Sequence, residues 1–180
     1  MFHPWHHISN AEMPEGIVKC IIEIPKGSKV KYEICKQTGL LMLDRVLYSS
    51  VHYPVNYGMI PQTLDGDGDP LDILVICQER IEPLALVEAK IIGVMNMIDS
   101  GLSDRKILAV ANKDIAVNYI DNIDQLPPHT TVEIKKFFED YKVLENKTVL
   151  IDAFLSKAEA LEVVKECQLN YRAKFSNPSL

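Results

Sequence analysis

The stretch Asp67-Gly-Asp69-Pro-Leu-Asp72 sets three carboxylates around one proline, and Asp65 adds a fourth acid just upstream. So many negative charges on so few residues repel one another unless they share a cation. Hard divalent ions prefer carboxylate oxygens, and magnesium in particular joins a few protein carboxylates to substrate phosphates. Pro70 fixes its own φ and biases Asp69 towards extended backbone, so Asp67 and Asp69 lie on one side of a short extended stretch. Asp72 falls on the other side of a straight strand, and a bend at Pro70 is needed to unite all three. Gly66 and Gly68 leave room for close approach of an ion or substrate. Further along, Asp99, Asp104 and Lys106 repeat the theme as D-x4-D-x-K. The chemistry this suits is an oxygen-lined site for magnesium.

Two rival readings compete for the first cluster. A solvated turn is one, since turns favour Asp, Gly and Pro. The other is an EF-hand loop, whose opening Asp65-x-Asp67-x-Asp69 matches. It fails at the sixth position, Pro70 instead of glycine, and at the twelfth, Ile76 instead of glutamate. The EF-hand is rejected.

The 180 residues fit a single domain, residues 1–180, able to bury a core without disulfides. A net charge of −6 argues against a long nucleic-acid footprint, yet admits a small anionic substrate wherever metal ions and local cations neutralise it. The four scattered cysteines form no C-x-x-C pair and read as reduced core residues of a cytoplasmic protein. No secretory signal and no spanning apolar run is present, so no membrane partner is expected.

Strands and helices must then carry these side chains. Val30–Ile34 alternates cleanly, with Lys31 and Glu33 sharing one face. Apolar segments at Gly16–Ile24, Leu40–Leu43, Leu84–Met97, Ile107–Ala111 and Thr148–Phe154 read as strands, and Ile73–Cys77 as one buried on both faces. A helix is predicted over Thr130–Leu144 after Pro127-Pro128. Ser156-Lys-Ala-Glu159 opens another that runs towards Phe175. Strands first and helices late predict a mainly β protein: a closed or partly closed barrel with α-helices outside it, near the C-terminus.

The chain resembles the soluble inorganic pyrophosphatases of the magnesium-dependent, β-barrel family. The resemblance runs from about Ile17 to Leu155 and rests on D-G-D-P-x-D at Asp67 together with six further motifs in the same order. These are Ile22-Glu-Ile-Pro25, Lys31-Tyr-Glu33, Asp44-Arg45, Tyr53-Pro-x-Asn-Tyr-Gly58, Asp99-x4-Asp-x-Lys106 and Phe137-Phe-Glu-x-Tyr-Lys142. It implies a five-stranded OB-type barrel, hydrolysis of pyrophosphate to two phosphates by a metal-activated water, magnesium as the metal, and a homo-oligomer. It further implies Asp67, Asp72, Asp104, Asp99 and Glu33 as metal ligands and Asp69 as general base. Lys31, Arg45, Tyr141 and Lys142 would hold the phosphates, with Tyr57 and Lys106 beside them and Glu23 and Tyr53 at the site's edge. Each has a plainer alternative: Lys31 and Glu33 as a solvent-facing pair, Arg45 as a surface ion-pair partner, Tyr53 as a core aromatic, Lys142 as a helix boundary. Ser100 departs from the acid many bacterial relatives carry after Asp99, and His3-Pro-Trp-His-His7 looks like the extension of plant-type members. The competing function is a non-catalytic OB-like polyanion-binding module. It would need a basic groove with stacking aromatics, whereas here acids outnumber bases.

Overall fold

Five of the chain's strands close on themselves in the computed structural model, which describes residues 2–175. Strand β1 (Ile17–Ile24) pairs antiparallel with β4 (Asn56–Met59), and β4 with β5 (Asp72–Ile76). β5 runs parallel to β8 (Lys106–Ala111), β8 is antiparallel to β6 (Leu86–Asp99), and β6 returns to β1. This ring is the closed barrel expected from the order of the elements, and its five strands match the OB-type barrel that the family resemblance implies. Closure leaves none of the five with a free edge over its paired length.

At 14 residues β6 is long enough to serve two partners on one side. Its first part pairs with β1, and its later part with β9 (Val149–Ser156); β7 (Leu102–Ser103) folds back on its end. Strands β2 (Val30–Ile34) and β3 (Leu41–Val46) form a separate two-stranded hairpin that shares no ladder with the barrel.

The buried strands separate two apolar layers by strict alternation. Ile73, Val75, Ile107 and Ala109 face one way and meet Ala160, Val164 and Cys167 of helix α3 (Lys157–Phe175). Leu74, Leu108 and Val110 face the other and meet Ile134, Phe137 and Phe138 of helix α2 (Pro128–Asp140). A strand covered on both faces has to be apolar throughout, which is why these segments read as continuous runs. Helix α3 opens on the predicted capping box, with Ser156 N–H donating to Glu159 Oε2 at 2.9 Å and Glu159 N–H to Ser156 Oγ at 3.4 Å.

Three differences from the sequence expectations matter. Strand β4 lies in no predicted segment, because Asn56-Tyr-Gly-Met59 is only four residues long and Gly58 weakens it as a strand. It is nonetheless fully buried, and a Cβ on Gly58 would come within 2.0 Å of Ile21 O, so the β1–β4 seam closes only on glycine. Helix α2 begins at Pro128 itself, since a proline at the first helical position loses nothing by lacking an N–H. It ends at Asp140, four residues before the predicted end, and Leu144 lies exposed in a short turn beyond it.

Candidate active site

The hairpin, the loop before β5, the end of β6 and the end of α2 surround one polar cavity of about 210 Å³. Asp67, Asp69 and Asp72 all line it, so the bend at Pro70 does unite the first cluster. Asp99 and Asp104 arrive from the end of β6 and the approach to β8. Glu33 and Lys31 come from the inner face of β2, Glu23 from β1, and Tyr141 and Lys142 from the residues just past α2. Tyr53, Tyr57 and Lys106 complete the predicted set within the lining.

Lys106 is the centre of the arrangement. It is 2% exposed, and its Nζ donates to Asp72 Oδ2 at 2.6 Å, Asp104 Oδ1 at 2.7 Å and Tyr57 OH at 3.3 Å. Asp72 and Lys106 are register partners across the parallel β5–β8 ladder, so the sheet itself puts the acid beside the base. Burial works against the ammonium, but Asp104 and Asp72 outweigh it and raise its pKa well above the ordinary lysine range. Asp72 is pushed up by its own burial and by Asp104, against the pull of Lys106.

The other cations are also engaged. Lys142 pairs with Asp99 and, despite partial burial, lowers that carboxyl's pKa. Lys31 pairs with Glu33 and lies 3.1 Å from Asp44 Oδ2. Burial raises Asp67, with Asp104 and Asp65 adding to the effect. Glu23 is 7% exposed and accepts Ile34 N–H at 2.7 Å. Desolvation pushes its carboxyl up to about 8, so at neutral pH it stands mostly as the neutral acid.

Two predicted members stand apart. Arg45 does not line the cavity. Its Nε donates to Glu145 Oε1 at 2.7 Å and its Nη1 to Asp44 Oδ2 at 2.5 Å, while Nη2 is buried without a partner. Tyr53 is 2% exposed, with its ring 4.6 Å from Phe137, so it is as much a core aromatic as a site residue. Asp65, the fourth acid of the first cluster, turns away to Arg105 at 2.5 Å.

Sequence reasoning missed Lys36, which lines the cavity and pairs with Asp69, and Glu145, which holds Arg45. Lys36 sits in the turn of the β2–β3 hairpin, outside the alternation that exposed Lys31 and Glu33, and no local spacing marks it.

Seven carboxyl groups face the cavity against four ammonium groups. Among the described residues, no three acidic, histidine or cysteine side chains converge closely enough to enclose an ion as they stand. The donor set nevertheless suits a hard divalent cation: carboxylate oxygens in excess, with Asp67 and Asp72 raised partly by their mutual neighbour Asp104. An added cation would relieve that repulsion.

Comparison with known proteins places this geometry in context. The family model described as inorganic pyrophosphatase matches residues 20–172. Soluble inorganic pyrophosphatase 2 of Chlamydomonas reinhardtii is 51% identical over 173 residues, spanning 96% of this chain and 90% of that protein. Soluble inorganic pyrophosphatase 5 of Arabidopsis thaliana is 50% identical over 163 residues, spanning 91% and 76%. The crystal structure of inorganic pyrophosphatase from Thermus thermophilus superposes with a TM-score of 0.89 at 35% identity, covering 94% of this chain and 99% of that one.

Proposed function

The chain belongs to the inorganic pyrophosphatase family and is accordingly an enzyme that splits pyrophosphate into two phosphates; we propose that the acidic cavity is where it does so. One observation carries this assignment: Asp72 and Asp104, distant in sequence, meet on a single buried cation inside a cavity that also holds Asp67 and Asp69.

Asp67, Asp72 and Asp104, with Asp99 and Glu33, would hold magnesium. When bound, magnesium supplies charge neutralisation of the pyrophosphate and makes water more acidic. The rest falls to the protein's side chains. Asp69, about half exposed at the cavity wall, takes a proton from the attacking water on a carboxylate oxygen. Lys31, Lys106 and Lys142 present ammonium groups to phosphoryl oxygens, while Arg45, bound to Asp44 and Glu145 outside the lining, would have to leave those partners to reach the substrate. Tyr57 and Tyr141 remain protonated because burial raises their pKa, so each can donate a hydrogen bond to an anion. Glu23, kept neutral, spares the cavity one further negative charge.

The polyanion-binding alternative is not favoured, since acids dominate this cavity. Residues 1–180 act as one domain on this reading. Four cysteines without a disulfide support a reducing, cytoplasmic setting. Among the described residues no helix is long and apolar enough to cross a membrane. A homo-oligomer is supported by the exposed apolar side chains of Ile98, Leu102 and Leu150 along neighbouring strands, and the net charge of −6 speaks against a nucleic-acid partner.

The test is phosphate release from pyrophosphate across a magnesium titration, with excess calcium as inhibitor. Asp69→Asn should lower kcat by roughly 10²- to 10⁴-fold, as expected for a lost general base, with an unchanged melting temperature. Near-normal turnover of that variant removes Asp69 from the mechanism.

A further inference from the structure

The N-terminal arm, built around helix α1 (Pro4–His7), contributes nothing to the cavity lining yet touches both of its walls. Trp5, the only tryptophan of the chain, is 4% exposed, and its indole N–H donates to Thr63 O at 2.8 Å. Gln62 N–H donates to Trp5 O at 2.9 Å, and Gln62 Nε2 to His6 O at 2.9 Å. These bonds hold Gln62 at φ 56°, a left-handed conformation that a residue with a Cβ adopts only at a cost.

Thr63 in turn ties the neck of the acidic loop. Its hydroxyl donates to Ile60 O at 2.6 Å and accepts Leu71 N–H at 2.9 Å. Asp67 and Asp69 hang from that neck, and Asp72 follows directly. The opposite end of the arm reaches the tip of the β2–β3 hairpin. His3 Nε2 lies 3.3 Å from Cys35 O, and a Cβ on Gly39 would stand 3.0 Å from Pro4. The hairpin carries Lys31, Glu33 and Lys36 and has no ladder to the barrel, so contacts of this kind fix its position. The arm itself is clamped by α3, with the Trp5 ring 5.3 Å from Phe175 and His6 Nδ1 2.7 Å from Tyr171 OH.

We propose that the N-terminal arm is a strut that fixes the acidic loop relative to the hairpin, and that Trp5 is a positioning residue for Asp67, Asp69 and Asp72. Carboxylates on a loose loop must be ordered when an ion arrives. The strut orders them beforehand, and that preorganisation becomes affinity. This deepens the reading of the cavity as a magnesium site and rests on it. Coupling between two sites is reciprocal, so magnesium held by the loop must also be felt at Trp5.

The experiment combines calorimetric magnesium titration of wild type, Trp5→Phe and Trp5→Leu with tryptophan emission of the wild type. Trp5→Phe keeps an aromatic ring but removes the indole N–H together with part of the buried bicyclic ring. Its magnesium affinity is expected to fall roughly 3- to 10-fold, the range of indirect coupling. The magnesium needed for half-maximal phosphate release should rise by the same factor, and kcat at saturating magnesium should fall by less. Wild-type emission should change along the calorimetric isotherm. A Trp5→Phe protein with wild-type circular dichroism and unaltered magnesium affinity overturns the strut. So does wild-type emission that is blind to bound magnesium, and this arm needs no variant to fold. Wild-type protein that binds no magnesium at all would instead overturn the metal reading, taking the strut with it.

Discussion

Lys106 shows how a single buried ammonium can organise acids from separate elements. Replacing it with methionine leaves Asp72 and Asp104 facing each other without a counter-charge. Loss of one partner from a buried ion pair costs about 3–5 kcal/mol, so Lys106→Met should melt well below wild type in chelator. Magnesium should recover more stability in the variant than in wild type, as thermal melts with and without the ion would show. The thiols differ as sharply. Desolvation pushes Cys20 and Cys167 up to about 12, whereas hydrogen bonds from the Thr38 side chain and the Gln37 and Thr38 backbone lower Cys35. Because the thiolate is the nucleophile, peptide mapping after brief iodoacetamide treatment of native protein should find Cys35 alkylated before Cys20 and Cys167. Asp114 accepts Gln78 N–H at 2.7 Å and Ala116 N–H at 3.0 Å, and its pKa is lowered from 3.8. A depressed carboxyl contributes stability above its unfolded value and loses it as pH falls through the folded one. Denaturant melts of Asp114→Asn should therefore show less acid destabilisation below about pH 4 than wild type, with neutral stability reduced.

Among the elements, the β1–β4 seam is the least forgiving. Gly58→Ala sets a methyl against Ile21 O, and the backbone must part to admit it. Overpacking of this kind costs about 1–3 kcal/mol, and more where backbone rather than side chain must move. Chemical denaturation would check it. The same strand shows what a sequence conceals. Asn56-Tyr-Gly-Met59 is too short to announce itself as a strand, and its Asn56 is buried for its hydrogen bonds to Lys26, Ile81 and Glu79 and not for hydrophobicity. The acids were legible, since Asp67, Asp69 and Asp72 crowd one short stretch whose charge needs an explanation. Lys36 and Glu145 were not, because their partners, Asp69 and Arg45, lie 33 and 100 residues away in sequence. Helix α2 was legible in its apolar period but not in its end. Leaving the helix at Asp140 turns Tyr141 and Lys142 to the cavity, while Leu144, which extended the apparent period, goes to solvent.

At the scale of the whole molecule, a ligand that binds only the folded state stabilises it by mass action. Magnesium at 100 times its dissociation constant should add about 2.7 kcal/mol to unfolding, measurable as a shift in the denaturant midpoint. The shift should vanish in chelator. The ring of strands carries one more implication, through the β5–β8 ladder. Because Asp72 and Lys106 are matched across it, a slip of a single residue would swing Lys106 to the opposite apolar layer, a bare charge beside Ile73 and Val75. Mispaired forms are thereby penalised far beyond the loss of a few contacts. The same two charges that serve the cavity proofread the assembly of the barrel around it.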